Sequence, residues 1–176
     1  MNNSAKAALV TLLFLCLGRA SAQSAKSGDE EPVAVAEVGA APTQSLKGGG
    51  FTVGPTVAVE VTPIENRLEL EGGVTALFGD HSTEWDTDLL FKKPWTLSKK
   101  AEFMLGAGPE WIHVRTGGAV TNSAGGEAAL DFMFWPKPKH KLGWYLEPSY
   151  DYDFAHGHDQ SISITGGLLI GIPRRH

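Results

Sequence analysis

A long series of acids in this chain falls on the polar phase of a two-residue alternation: Glu60, Glu69, Glu71, Glu84, Asp86, Asp88, Glu102, Glu110, Glu127, Asp131, Glu147, Asp151 and Asp153. Turned toward one another, so many carboxylates cannot stay dry and ionised. They must be watered, share protons, hold cations or meet basic side chains, and Lys92 is the best-placed base. Other groups with chemistry are fewer. His156-Gly157-His158-Asp159 and Asp80-His81 could supply two imidazoles and carboxylates to a divalent metal, but no third ligand is fixed and a hydrated loop is the plainer reading. His81-Ser82 with an acid offers the parts of a hydrolase triad, again at ordinary loop composition. The glycine pairs at 72–73, 117–118, 125–126 and 166–167 precede no helical pattern, which removes a phosphate cradle. No basic, aromatic-interleaved surface suggests nucleic acid. No catalytic residue, metal site or cofactor is assigned.

The elements that must position these acids are strands. In 142–154, Leu142, Trp144, Leu146, Pro148, Tyr150, Tyr152 and Phe154 share one side of an extended chain, opposite Gly143, Tyr145, Glu147, Ser149, Asp151 and Asp153. The same pattern recurs in 51–61, 67–78, 84–92, 101–115, 127–135 and 161–172, and weakly in 32–40. Several of these runs reach the roughly 9–11 residues that a tilted strand needs to cross a bilayer. The weak strand is accepted because bacterial single-chain barrels have even strand numbers and a closed sheet leaves no bare edge in lipid. Connections are expected at 62–66, 93–100 and 136–141 at one end, and at 41–50, 79–83, 116–126 and 155–160 at the other, where loops should be longer. Whether 32–40 pairs with the last strand is left open by the sequence.

Ahead of this pattern, Lys6, an apolar run over 7–17 and Ala20-Ser21-Ala22 read as a signal peptide over 1–22, followed by a disordered lead-in over 23–31 and the barrel domain over 32–176. Losing 1–22 removes Lys6 and Arg19 and no acid, so a formal net charge of −5 becomes −7. It also removes Cys16, the single cysteine, and with it any disulfide or thiolate chemistry. Arg67, Lys92, Lys93, Lys99, Lys100, Lys137, Lys139, Lys141, Arg174 and Arg175 gather at the turn end. Asp80, Glu84, Asp86, Asp151, Asp153 and Asp159 crowd the loop end. Basic groups at one rim suit the anionic phosphates of a membrane leaflet.

Alternation alone leaves open whether the apolar face looks out to lipid or in to a ligand. Aromatic placement favours lipid: Trp95, Trp135, Trp144 and Phe103 flank the short turns, and Trp85, Trp111, Tyr150, Tyr152 and Phe154 lie toward the loops, as two interfacial belts would. With blocks such as 60–66 (EVTPIEN), 89–97 (LLFKKPWTL) and 143–148 (GWYLEP), the chain resembles the small eight-stranded outer-membrane β-barrel proteins of Gram-negative bacteria, an uncharacterised group. The resemblance implies an all-β, antiparallel, up-and-down transmembrane barrel, and no activity. Pro55, Pro109 and Pro148 fall inside strands and call for bulges. The functional expectation is a monomeric outer-membrane protein in contact with outer-membrane lipids, with a structural, surface-interaction or narrow-permeation role and no enzymatic activity. The alternative is a soluble periplasmic, lipocalin-like carrier of a hydrophobic small molecule.

Overall fold

Alternating sequence closes on itself in the computed structural model, which describes residues 32–48, 50–79, 81–137, 140–155 and 157–173. The expected leader and lead-in lie outside the described residues. Eight strands follow in order: β1 (Ala34–Ser45), β2 (Phe51–Ile64), β3 (Leu68–Phe78), β4 (Ser82–Ser98), β5 (Ala101–Thr116), β6 (Ala119–Phe134), β7 (Leu142–Asp153) and β8 (Gln160–Ile172). Each pairs antiparallel with its sequence neighbours, and β1 closes the barrel against β8 from Ala34↔Ile172 to Ser45↔Ser161. The weakest strand by sequence is thus the closing one. No edge is left unpaired, which is how a sheet avoids bare N–H and C=O groups.

Strands overrun the expected connections. β1 continues through 41–45, β4 runs to Ser98, and the polar, glycine-rich stretch 116–126, expected as a loop, is almost wholly strand. There Thr116↔Ala119 closes a two-residue hairpin on Gly117 and Gly118, whose φ of 56° and 91° match the primed turn that strand twist favours. Connections at the loop end (46–50, 79–81, 117–118 and 154–159) are therefore no longer as a class than those at the turn end (65–67, 99–100 and 135–141), contrary to expectation.

The bulges expected at Pro55, Pro109 and Pro148 are absent too. Val53↔Phe78 and Thr56↔Thr75 keep one register across Pro55, as do Asp88↔Glu110 and Phe91↔Ala107 across Pro109, and Ala129↔Ser149 and Phe132↔Leu146 across Pro148. The ladder lapses on one side and resumes in phase. Glycines placed before two of the prolines let the backbones close in: a Cβ on Gly54 would lie 1.6 Å from the Ala76 carbonyl oxygen, and one on Gly108 1.9 Å from that of Leu89. Register shifts occur instead near turns, at Val61/Ile64 and Thr96/Ser98.

The pleat decides what faces where. Val53, Val57, Val59, Leu89, Leu105, Leu130, Leu146, Ile164, Leu168 and Ile170 are exposed on the outer surface. Inward come Glu37, Glu60, Glu71, Lys92, Asp131 and Glu147, all buried. Among the described residues the interior presents acids and no apolar chamber, which counts against the carrier alternative. What apolar packing the lumen has sits at the turn end, where Val35, Met104, Met133, Trp135, Tyr145 and Leu169 form one cluster.

Candidate functional site

Lys92, the only buried base among the described residues, is the centre from which the lumen is built. β4 sends it inward beside Gly106 of β5; a Cβ on that glycine would come 2.6 Å from the lysine Cγ, so the side chain lies over bare backbone. Its ammonium reaches three strands: Nζ is 2.5 Å from Glu71 Oε2 on β3, 3.1 Å from Asp131 Oδ2 on β6 and 2.5 Å from Glu147 Oε2 on β7. An ammonium has three protons to donate, and all three are placed. Lys92 is 1 % exposed and Asp131 0 %. Two cavities open beside this group, one lined by Glu71 and Glu147 and the other by Glu60.

On the loop side lies a cavity of about 280 Å³. Its wall carries Glu84, Asp86, Asp88, Glu110, Glu127, Asp151 and Asp153, so those seven acids expected in the lumen are brought together around one space. Neutral donors serve some of them: the Ser161 hydroxyl donates to Asp151 at 2.9 Å, and the Ser123 hydroxyl and Ala155 N–H to Asp153 at 2.8 Å. On the turn side a cavity of about 80 Å³ is lined by Glu60, Glu69 and Glu102 with Trp135 and His140. Like charges also oppose each other across strands, at Glu60↔Glu71, Asp88↔Glu110 and Glu127↔Asp151. Such pairs destabilise a sheet unless something positive or protonated intervenes.

Two residues depart from the sequence reading. Trp135, assigned to an interfacial belt, is 1 % exposed, packs in the turn-end cluster and stacks on His140 with centroids 4.8 Å apart. The signal was present: parity along β6 puts it in phase with Asp131 and Met133, not with Phe132 and Phe134. Glu37 was not counted among the lumen acids because its strand was weakly patterned, yet it is 2 % exposed and lines the larger cavity. The other aromatics assigned to the belts point outward. Trp95, Phe103 and Phe132 stack in series at the turn end, Phe134 stacks on Trp144, and Trp85, Trp111, Tyr150, Tyr152 and Phe154 lie toward the loop end.

The histidine proposals gain nothing. His81 and His158 are exposed, His158 stacks on Tyr152, and neither belongs to a converging ligand group among the described residues. Asp80 and His156 lie outside the described residues. No hydrogen bond joins His81 to Ser82, so the triad parts are not assembled. One ligand group does converge among the described residues, and it consists of Glu37, Glu60, Glu71 and Asp131.

This geometry meets known structures at the level of the closed eight-stranded barrel. The chain has the fold of small outer-membrane β-barrels. Neisserial surface protein A matches 79 % of this chain and 96 % of its own, with a TM-score of 0.64 and 13 % identity. The attachment invasion locus protein Ail of Yersinia pestis matches 80 % of this chain and 98 % of its own, at TM-score 0.53 and 12 % identity. For the N-terminal β-barrel domain of Pseudomonas aeruginosa OprF the figures are 80 %, 98 %, 0.55 and 10 %. No family model and no curated protein matches the sequence.

Proposed function

We propose that this chain is a monomeric integral protein of the outer membrane, with a structural or surface-interaction role, a lumen closed to solutes and no enzymatic activity. The observation that carries the reading is a barrel whose outside is apolar all round while its charges are turned to the axis. In water such a surface far exceeds the patch a soluble monomer tolerates. In lipid each outward Val, Leu or Ile moves from water to hydrocarbon, worth about 1.5–3 kcal/mol for full burial. Strands of 11 to 17 residues are long enough to span, and the outward aromatics near both rims suit the two interfaces. Exposed Arg67, Lys93, Lys99, Lys100, Lys137 and Lys141 give the turn end the charge that attracts anionic lipid.

A narrow permeation path does not fit, because Lys92 reaches from β4 to carboxylates on β3, β6 and β7 and, with Asp131, has almost no accessible surface. The loop end is the remaining face for partners. Ail has been seen in complex with the heparin analogue sucrose octasulfate, but here the loop-side cavity is ringed by acids, so a cationic partner suits it and a polyanion does not.

Fractionation tests the reading. The chain should stay with detergent-extracted outer membrane and migrate differently on a gel before and after boiling, and release with periplasmic contents would overturn it. Reconstituted in planar bilayers, the barrel should show no stable open-channel conductance.

A further inference from the structure

Lys92 does not finish neutralising the lumen. Glu37 of β1, Glu60 of β2, Glu71 of β3 and Asp131 of β6 each bring a carboxylate oxygen to a common point, all within 4.8 Å of one another. Their residues are between 0 and 3 % exposed. Lys92 holds one oxygen of Glu71 and one of Asp131, and its third proton goes to Glu147. It has no donor left for the rest. Oε1 of Glu37, Oε2 of Glu60 and Oδ1 of Asp131 are buried without a hydrogen-bond partner. Buried carboxylate oxygens in that condition need a positive ligand or protons.

We propose that Glu37, Glu60, Glu71 and Asp131 bind one divalent cation beside Lys92, calcium in preference to magnesium. Charge argues for a dication, because five carboxylates surround a single ammonium once Glu147 is included. Coordination geometry favours calcium, whose flexible shell accepts oxygens spread within 4.8 Å of one another. Magnesium demands a near-ideal octahedron, which four side chains on separate strands of a closed barrel cannot readily contract to supply. The site borders both cavities, since Glu37 and Glu71 line the larger and Glu60 the smaller, and water in either can complete the coordination shell. The inference goes beyond the membrane reading, since it concerns the inside of the folded barrel wherever that barrel resides.

The full chain, folded in detergent micelles and stripped with a chelator, is titrated with calcium chloride by calorimetry and with terbium, a luminescent calcium substitute. Trp135 shares a cavity with Glu60, and Tyr145 one with Glu37, so terbium emission excited through protein aromatics reports the site. One calcium per barrel is expected, with magnesium about tenfold weaker or more. Glu37→Gln and Glu60→Gln should each lower calcium affinity by about tenfold or more, while Glu110→Gln on the wall of the larger cavity should change it less than about twofold. The gel-shift on boiling reports whether each variant folds. No calcium bound at about 5 mM, beyond the weak end of extracellular calcium sites, overturns the proposal. So does affinity that survives both inner variants, or falls equally with Glu110→Gln, which marks a diffuse ion atmosphere. Should the variants fail to fold, the wild type decides alone: sensitised terbium emission displaced by calcium supports the site, and its absence refutes it.

Discussion

Lys92 shows how one residue can organise an interior. Removing a base from among Glu71, Asp131 and Glu147 leaves buried carboxylates facing one another, and breaking a buried ion pair from one side costs about 3–5 kcal/mol. Lys92→Met is therefore expected to lower the unfolding free energy of the lipid-reconstituted barrel by about that amount in denaturant titrations. Adding Glu71→Gln, Asp131→Asn and Glu147→Gln together should restore more than half of the loss, since the penalty lies in the orphaned charges. An unchanged midpoint in the single variant would dismiss Lys92 as the organising charge. At this scale the sequence was half legible. Parity turned the acids inward and marked Lys92 as the best-placed base, but which acids the lysine pairs with depends on how far around the barrel each strand lies. At Trp135 ring chemistry points to the interface and parity to the lumen, and parity prevails.

Strands were legible where lipid-facing and lumen-facing residues alternate, and illegible where both faces are polar. The stretch 119–126 has no apolar phase, so composition read it as a loop although its backbone continues the ladder with β5. Prolines mislead for a related reason: a missing N–H suggests a bulge, whereas here the ladder lapses on one side and keeps its register. The β5–β6 hairpin makes an element-scale prediction. Gly118, at φ 91°, should not accept a branched side chain, and Gly118→Val should cost about 1–2 kcal/mol in the same unfolding assay. Gly117→Asn, at φ 56°, should be nearly neutral because asparagine tolerates that region in primed turns.

For the whole molecule, the decisive contrast is between neighbours one residue apart. Val57 faces outward and Thr56 inward on β2. In a bilayer, Val57→Arg should cost about 2–4 kcal/mol, the depth-dependent cost of a cation in hydrocarbon. Thr56→Lys, pointing at an acidic lumen, should change stability by less than about 1 kcal/mol. Equal effects at the two positions would count against the membrane orientation. Even strand number and the rule that lipid tolerates no bare edge carried the sequence to the closed barrel, and the pairing of β1 with β8 supplies the contact that periodicity could not.

That seam has a topological consequence. The Val33 amide donates to the Ile172 carbonyl at 2.9 Å, so the first and last strands are as intimately joined as any hairpin in the sheet. The architecture is a ring, and the peptide merely starts somewhere on it. A circularly permuted gene, with the β8-to-β1 junction bridged by a short linker and new termini cut between Gly117 and Gly118, should rebuild the same cylinder.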